Sequence, residues 1–232
     1  MTGSPTRWTA ATVAALGPLA DADKAAPMAA YMKDVAPFLG ITATPRRRAQ
    51  RAAWAGLPVP DEAQVARTAL ELWSLPEREY QYAAADLIAR HAGRLRTSFL
   101  ADPVEALLTA KPWWDTVDLL GSAAVTPLVA RDPGLVGTMW RWLDSGDRWL
   151  VRAAVQHQRG LGEQTDVGLL LAMCAHVSDD REFFVAKAVG WALRDASPLA
   201  PGLVQQFLDE HPALPAVARR EAVRGLARTS PP

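Results

Sequence analysis

The chain has 232 residues, half of them hydrophobic, with 25 basic and 25 acidic residues and a formal net charge of zero. That content supports a substantial packed core and excludes a disordered chain. No apolar run approaches the roughly 18 residues of a membrane span, and the run from Gly168 to Cys174 reads as a buried helix. The first residues lead into no secretory apolar region, and the single cysteine, Cys174, excludes an intrachain disulfide, so a reducing cytoplasmic compartment is expected. Zero net charge lends no general attraction to nucleic acid, but phosphate contacts depend on local charge. All the basic residues except Lys24, Lys33, Lys111 and Lys187 are arginine, whose planar fork suits phosphate. A GC-rich coding bias would give the same composition.

Taken in chain order, the pattern is helical throughout. Thr44-Pro45 reads as an N-cap and first helical residue, followed by Arg46, Arg47 and Arg48. Cations there oppose the helix dipole; an anion bound at the free amides would relieve the conflict, and arginines fanning into solvent are the alternative. Pro60-Asp61-Glu62 opens a helix running to Leu75, and Pro76-Glu77-Arg78-Glu79 opens another running to about His91. Further starts are expected near Asp102, Pro112, Asp132, Asp147, Thr165, Asp179, Pro198 and Pro215. Strand signals are almost absent. The expectation is an all-α chain of roughly a dozen short helices, whose pairs span about 30 to 45 residues as in HEAT-like solenoids, with an irregular bundle as the rival architecture. Such a solenoid has a concave surface suited to a long partner. No linker divides the chain, so a single domain over residues 1–232 is expected, with frayed ends at 1–6 and 229–232.

Familiar metal and phosphate motifs are missing: there is no HExxH, no CxxC and no glycine-rich loop after a strand. His91, His157, His176 and His211 are scattered singly. Gly160-Leu161-Gly162 lacks the surroundings of a DNA-binding hairpin. The remaining chemistry is aromatic, acidic and cationic. Trp114 and Asp118 share one helix face, an arrangement that fits either the lip of a cleft or a core tryptophan beside a solvated acid; spacing alone favours the latter. Arg148 and Arg152 present two guanidinium groups along one face. Lys187, Trp191 and Arg194 also recur at helical spacing, and a tryptophan with cationic neighbours suits a sugar and its phosphates. Arg219, Arg220 and Arg224 form a last basic cluster.

The ordered series of segments resembles the AlkD-type DNA alkylation repair proteins, bacterial DNA glycosylases built from HEAT-like repeats. The resemblance runs from about Tyr31 to about Arg224 and is carried by Tyr31-Met32-Lys33, Phe38-Leu39-Gly40-Ile41, Pro45-Arg46-Arg47, Leu72-Trp73 and Glu77-Arg78-Glu79-Tyr80-Gln81-Tyr82. After these come Lys111-Pro112-Trp113-Trp114-Asp115-Thr116-Val117-Asp118, Trp149-Leu150-Val151-Arg152, and Phe183-Phe184 with Lys187 and Gly190-Trp191-Ala192-Leu193-Arg194. The central and last segments are the most specific. Val151 departs from the family pattern, in which a second arginine often sits there, and Val35-Ala36-Pro37 replaces a more aromatic stretch.

The resemblance implies an enzyme of base excision repair that binds double-stranded DNA containing alkylated purines, and a monomer is expected. It acts on N3- and N7-alkylpurines without metal or cofactor and without flipping the base into a tight pocket. Asp118 matches the catalytic acid, Trp114 and Trp191 the two cleft tryptophans, and Arg152 the cleft arginine. Arg152 would anchor a phosphate near the lesion. Arg148, Lys187, Arg194, Arg46, Arg47, Arg48, Arg220 and Arg224 are expected to contact DNA, with Tyr31 either lining the cleft or packing. Relatives differ in taking small methyl lesions or bulky adducts. Two other readings remain: a DNA-binding relative without excision activity, and a helical-repeat scaffold for a protein partner.

Overall fold

A computed structural model describes residues 4–228, which are all-helical and contain no strand. It divides into two compact units, Met1–Leu107 and Leu108–Pro232, with the boundary inside helix α6 (Val104–Thr109). No helix among the described residues is long and apolar enough to cross a membrane.

The first unit contains α1 (Arg7–Leu16), α2 (Ala22–Tyr31), α3 (Ala43–Trp54), α4 (Glu62–Ser74) and α5 (Arg78–His91). Helix α1 packs on α3, where the Trp8 and Trp54 rings meet at 5.5 Å and Trp54 Nε1 donates to Thr12 Oγ1 at 3.0 Å. Helices α4 and α5 pack as the next pair, and α4 starts on a capping box between Asp61 and Gln64. The buried Glu79 carboxylate accepts the backbone N–H groups of Leu39, Gly40 and Ile41 at 2.8, 2.9 and 2.9 Å, which fastens the loop before α3 onto α5. Gly40 has φ +85°, and a Cβ there would overlap the Asp21 carbonyl oxygen, so both conformation and space require glycine.

One expected helix start differs. Helix α3 begins at Ala43 with Thr42 as N-cap, which places Pro45 third in the helix. First-turn N–H groups have no intrahelical acceptor, so a proline anywhere in that turn is tolerated, and its position does not mark the start. Within the start of the chain, Ser4 and Thr6 are bonded to α4. The Thr6 N–H donates to Glu71 Oε2 at 2.8 Å, and the Ser4 carbonyl accepts from Arg67 Nη2 at 2.5 Å. Residues 1–3 and 229–232, expected to fray, lie outside the described residues.

The second unit opens with α7 (Trp114–Leu120). It continues through a π-helical turn over Gly121–Val125 into α8 (Thr126–Arg131), so the chain stays helical from Trp114 to Arg131. Such π turns recur beside functional residues, and this one begins three positions after Asp118. Next come α9 (Val136–Leu143), α10 (Arg148–Val155), α11 (Val167–His176), α12 (Phe183–Ala196), α13 (Pro201–Glu210) and α14 (Ala216–Ala227). Asp147 caps α10 by accepting from the N–H groups of Trp149 and Leu150, and Glu182 caps α12 by accepting from those of Phe184 and Val185. Trp113 packs against Trp149 at 5.7 Å and Phe184 at 5.0 Å, joining the starts of α7, α10 and α12. Helices α12 and α14 pack closely at Gly190, where an added Cβ would lie 2.8 Å from Ala218 Cα, and at Gly225, where one would lie 2.9 Å from Arg194 Cα.

Candidate active site

The site grows from α7, α10 and α12, all within the second unit. Asp118 sits one turn into α7 with 15% of its side chain exposed. Arg152, on α10, grips it through two hydrogen bonds: Nε donates to Oδ1 and Nη2 to Oδ2, both at 2.8 Å. A third guanidinium nitrogen, Nη1, donates to the Phe184 carbonyl on α12 at 2.8 Å. Gln156 Nε2 donates to Asp118 Oδ1 at 3.3 Å. Both oxygens of the carboxylate are thus fixed by a planar fork, a geometry that lysine cannot reproduce.

Trp191, half-buried on α12, is the second focus. The guanidinium carbons of Arg152, Arg159 and Arg194 lie 5.1, 4.8 and 5.8 Å from its ring centroid, and Lys187 Nζ lies at 5.7 Å. The negative faces of an indole attract such cations. Arg152 therefore touches both centres, which joins Asp118 to Trp191. Trp114 stands one turn before Asp118 and is half-buried; its neighbour Trp113 enters the aromatic cluster instead.

A buried carboxylate that the sequence reading missed organises the cations. Glu221 on α14 accepts from Lys187 Nζ and Arg194 Nη1 at 2.7 Å each, and from Arg224 Nη1 at 3.2 Å. Its carboxyl is held below the usual range chiefly by the Lys187 hydrogen bond, with Arg194 and Arg224 adding attraction and burial opposing them. The expected DNA-contacting cations Lys187, Arg194 and Arg224 thus share one anion.

Arg159 and Gln156 were also missed. They lie in the turn after α10, where no helical period marks them. Arg159 Nη1 donates to Gln156 Oε1 at 3.1 Å and lies 3.6 Å from Asp118 Oδ2. Both residues line two spaces, a cavity of about 10 Å³ at Asp118, Gly121 and Ser122, and a cleft of about 540 Å³ beside Trp191, Arg194 and Leu199.

The other expected contacts divide by burial. Arg152, expected to anchor a phosphate, is only 1% exposed, with its guanidinium turned to Asp118 and the Phe184 carbonyl. Its i, i+4 neighbour Arg148 is exposed instead, 3.2 Å from Glu182 and 5.0 Å from the Trp149 ring. In the first unit Arg46 is buried beside Asp86 at 3.0 Å and over Tyr82, and burial lowers its pKa, so it is not placed to meet phosphate as expected. Arg47 and Arg48 are exposed, with Arg47 3.5 Å from Asp86. Arg220 is exposed, whereas Arg219 donates to the Leu208 and His211 carbonyls at the end of α13. Tyr31 is 73% exposed and borders a shallow apolar hollow with Phe38 and Tyr82, so it is not a packing residue. Among the described residues no three His, Cys, Asp or Glu side chains gather as a metal site would require.

The sequence matches the model of a family described as DNA alkylation repair enzyme over residues 12–226. The chain belongs to the DNA alkylation repair enzyme family. A solved structure described as "Predicted DNA alkylation repair enzyme from Enterococcus faecalis" is 29% identical, covers 90% of this chain and 97% of its own, and superposes with a TM-score of 0.80. No curated protein sequence matches the chain. The DNA alkylation repair family implies an enzyme with DNA as partner, and the shared helical-repeat fold agrees with the all-α architecture expected from the sequence.

Proposed function

We propose that this family member is a DNA glycosylase that removes N3- and N7-alkylated purines from duplex DNA. The observation that carries the reading is the fixed Asp118 carboxylate, held at both oxygens by Arg152 and still partly open to solvent. An alkylated purine of this kind carries positive charge and leaves without prior protonation. As the N-glycosidic bond breaks, its electron pair goes to the base, which departs neutral, and positive charge builds on the deoxyribose. An anchored carboxylate stabilises that charge, because its orientation costs nothing during the reaction. Water then adds at C1′ and gives up a proton, a step that Asp118 assists by accepting a hydrogen bond from the water.

Two further features support this reading. Trp191 lines the adjoining cleft with Arg159 and Arg194, cationic neighbours that suit the phosphates flanking the sugar. A cleft of about 540 Å³ shares Gln156 and Arg159 with the small space at the carboxylate, which gives a DNA strand room beside Asp118. The chemistry needs no metal, since the leaving group is already activated. A relative that binds distorted DNA without excision is the second reading, favoured by the exposed Arg47, Arg48 and Arg220.

The test is a base-release assay on duplexes carrying 7-methylguanine, 3-methyladenine or a bulky N3-adenine adduct. Release of free base from at least one supports the glycosylase. Binding to all three without release supports the second reading.

A further inference from the structure

Resting on the reading that duplex DNA enters the Asp118 cleft, we infer that Arg159 is the residue that receives a DNA phosphate there. Arg152 cannot serve, since its guanidinium is buried and held by Asp118 and Phe184. Lys187 and Arg194 each hold a 2.7 Å bond to the Glu221 carboxylate, which a phosphate would have to displace. Arg159 differs from all three. It is 39% exposed, its hydrogen bond goes to the neutral Gln156 amide, and its nearest carboxylate oxygen, on Asp118, stands at 3.6 Å.

Position supports the same assignment. Arg159 borders both the cavity at Asp118 and the large cleft beside Trp191, and its guanidinium carbon lies 4.8 Å from the Trp191 ring centroid. A guanidinium laid on an indole keeps its N–H edge available to an anion. A sugar facing Asp118 has its own phosphate as a neighbouring group, so the cation beside the carboxylate is the one within reach. The turn carrying Arg159 ends at Gly160, with φ +86°, and Gly162, with φ +56°, and a Cβ at either would meet open space, so the turn has room to adjust to a bound strand.

The experiment measures affinity for a duplex carrying a tetrahydrofuran abasic-site analogue, which has no base to release, across a salt series. Native protein, Arg159→Gln and Arg159→Lys are compared. Losing one phosphate contact reduces the slope of log K against log salt by about one, and an affinity loss of about five- to tenfold near 0.1 M salt is expected for Arg159→Gln. Arg159→Lys should keep the native slope. Single-turnover base release at saturating duplex is measured alongside, so that a loss of binding is separated from a loss in the chemical step.

An unchanged slope in Arg159→Gln overturns the assignment, even if native protein binds and excises normally. A collapse of the saturated rate with native affinity overturns it too, by making Arg159 a support for Asp118. Failure of native protein to bind duplex removes both this inference and the reading beneath it.

Discussion

Arg152 holds both carboxylate oxygens of Asp118 at 2.8 Å from a position where only 1% of its own side chain is exposed. A buried ion pair loses much of its Coulombic gain to desolvation, so this one is better understood as a positioning device than as a source of stability. The third bond, to the Phe184 carbonyl, ties the direction of the Asp118 carboxylate to both α10 and α12.

Arg152→Lys keeps the charge but loses the fork. Single-turnover base release should fall about ten- to a hundredfold, equivalent to roughly 1.4 to 2.7 kcal/mol. The salt dependence of duplex binding should not change, because only 1% of the Arg152 side chain is exposed. A reduced salt slope would restore Arg152 as a phosphate contact. Arg152→Ala leaves the part-buried Asp118 carboxylate without its paired cation and empties a buried site, and should lower stability by about 2 to 4 kcal/mol, read by denaturant titration.

Glu221 makes a prediction against simple charge. Removing an acid near a DNA surface ordinarily strengthens binding. Glu221→Gln should weaken it, because Lys187, Arg194 and Arg224 lose the anion that orders them. The same residue sets a pH effect. Its folded pKa lies below the ordinary 4.5, so the unfolded chain takes up the proton first as pH falls. The stability it contributes is present above about pH 4.5 and is lost as pH drops through the lower folded value. Thermal unfolding of native and Glu221→Gln chains between neutral and acid pH should therefore converge at the acid end. Parallel curves, or tighter binding by the variant, would contradict this role.

Gly190 lets α12 and α14 approach. In Gly190→Ala the new Cβ would lie 2.8 Å from Ala218 Cα and 3.0 Å from Glu221 Cβ, both backbone or backbone-adjacent atoms that cannot turn aside. Overpacking of this kind costs about 1 to 3 kcal/mol. The melting temperature should fall, and duplex affinity should fall with it as Glu221 is displaced. A variant with native melting would show that the two helices can separate freely.

The helices were legible because their starts carry physical markers. Asp147 and Asp61 cap where acids at helix starts are expected, and the α4 and α5 bounds match within a few residues. The pairing of Asp118 with Trp191 was legible only as a resemblance, since the two lie on different helices and meet through Arg152. Spacing shows that Arg148 and Arg152 share a face but not whether that face is inside. What buries Arg152 is a partner 34 residues away. Glu221 was hidden for the same reason: it sits among arginines in sequence, and its partners Lys187 and Arg194 come from α12. Arg159 lies in a turn, where periodicity has nothing to mark.

The most direct measurement of the central claim is single-turnover release of 7-methylguanine by Asp118→Asn. Asparagine keeps the shape and removes the charge, and it leaves Arg152 buried without its anion, so the assay is run well below the variant's own melting temperature, with circular dichroism confirming the fold. Loss of one preorganised electrostatic contact predicts a rate lower by about a hundred- to a thousandfold, with duplex affinity largely retained. A folded Asp118→Asn chain that releases base at the native rate would contradict the role of Asp118.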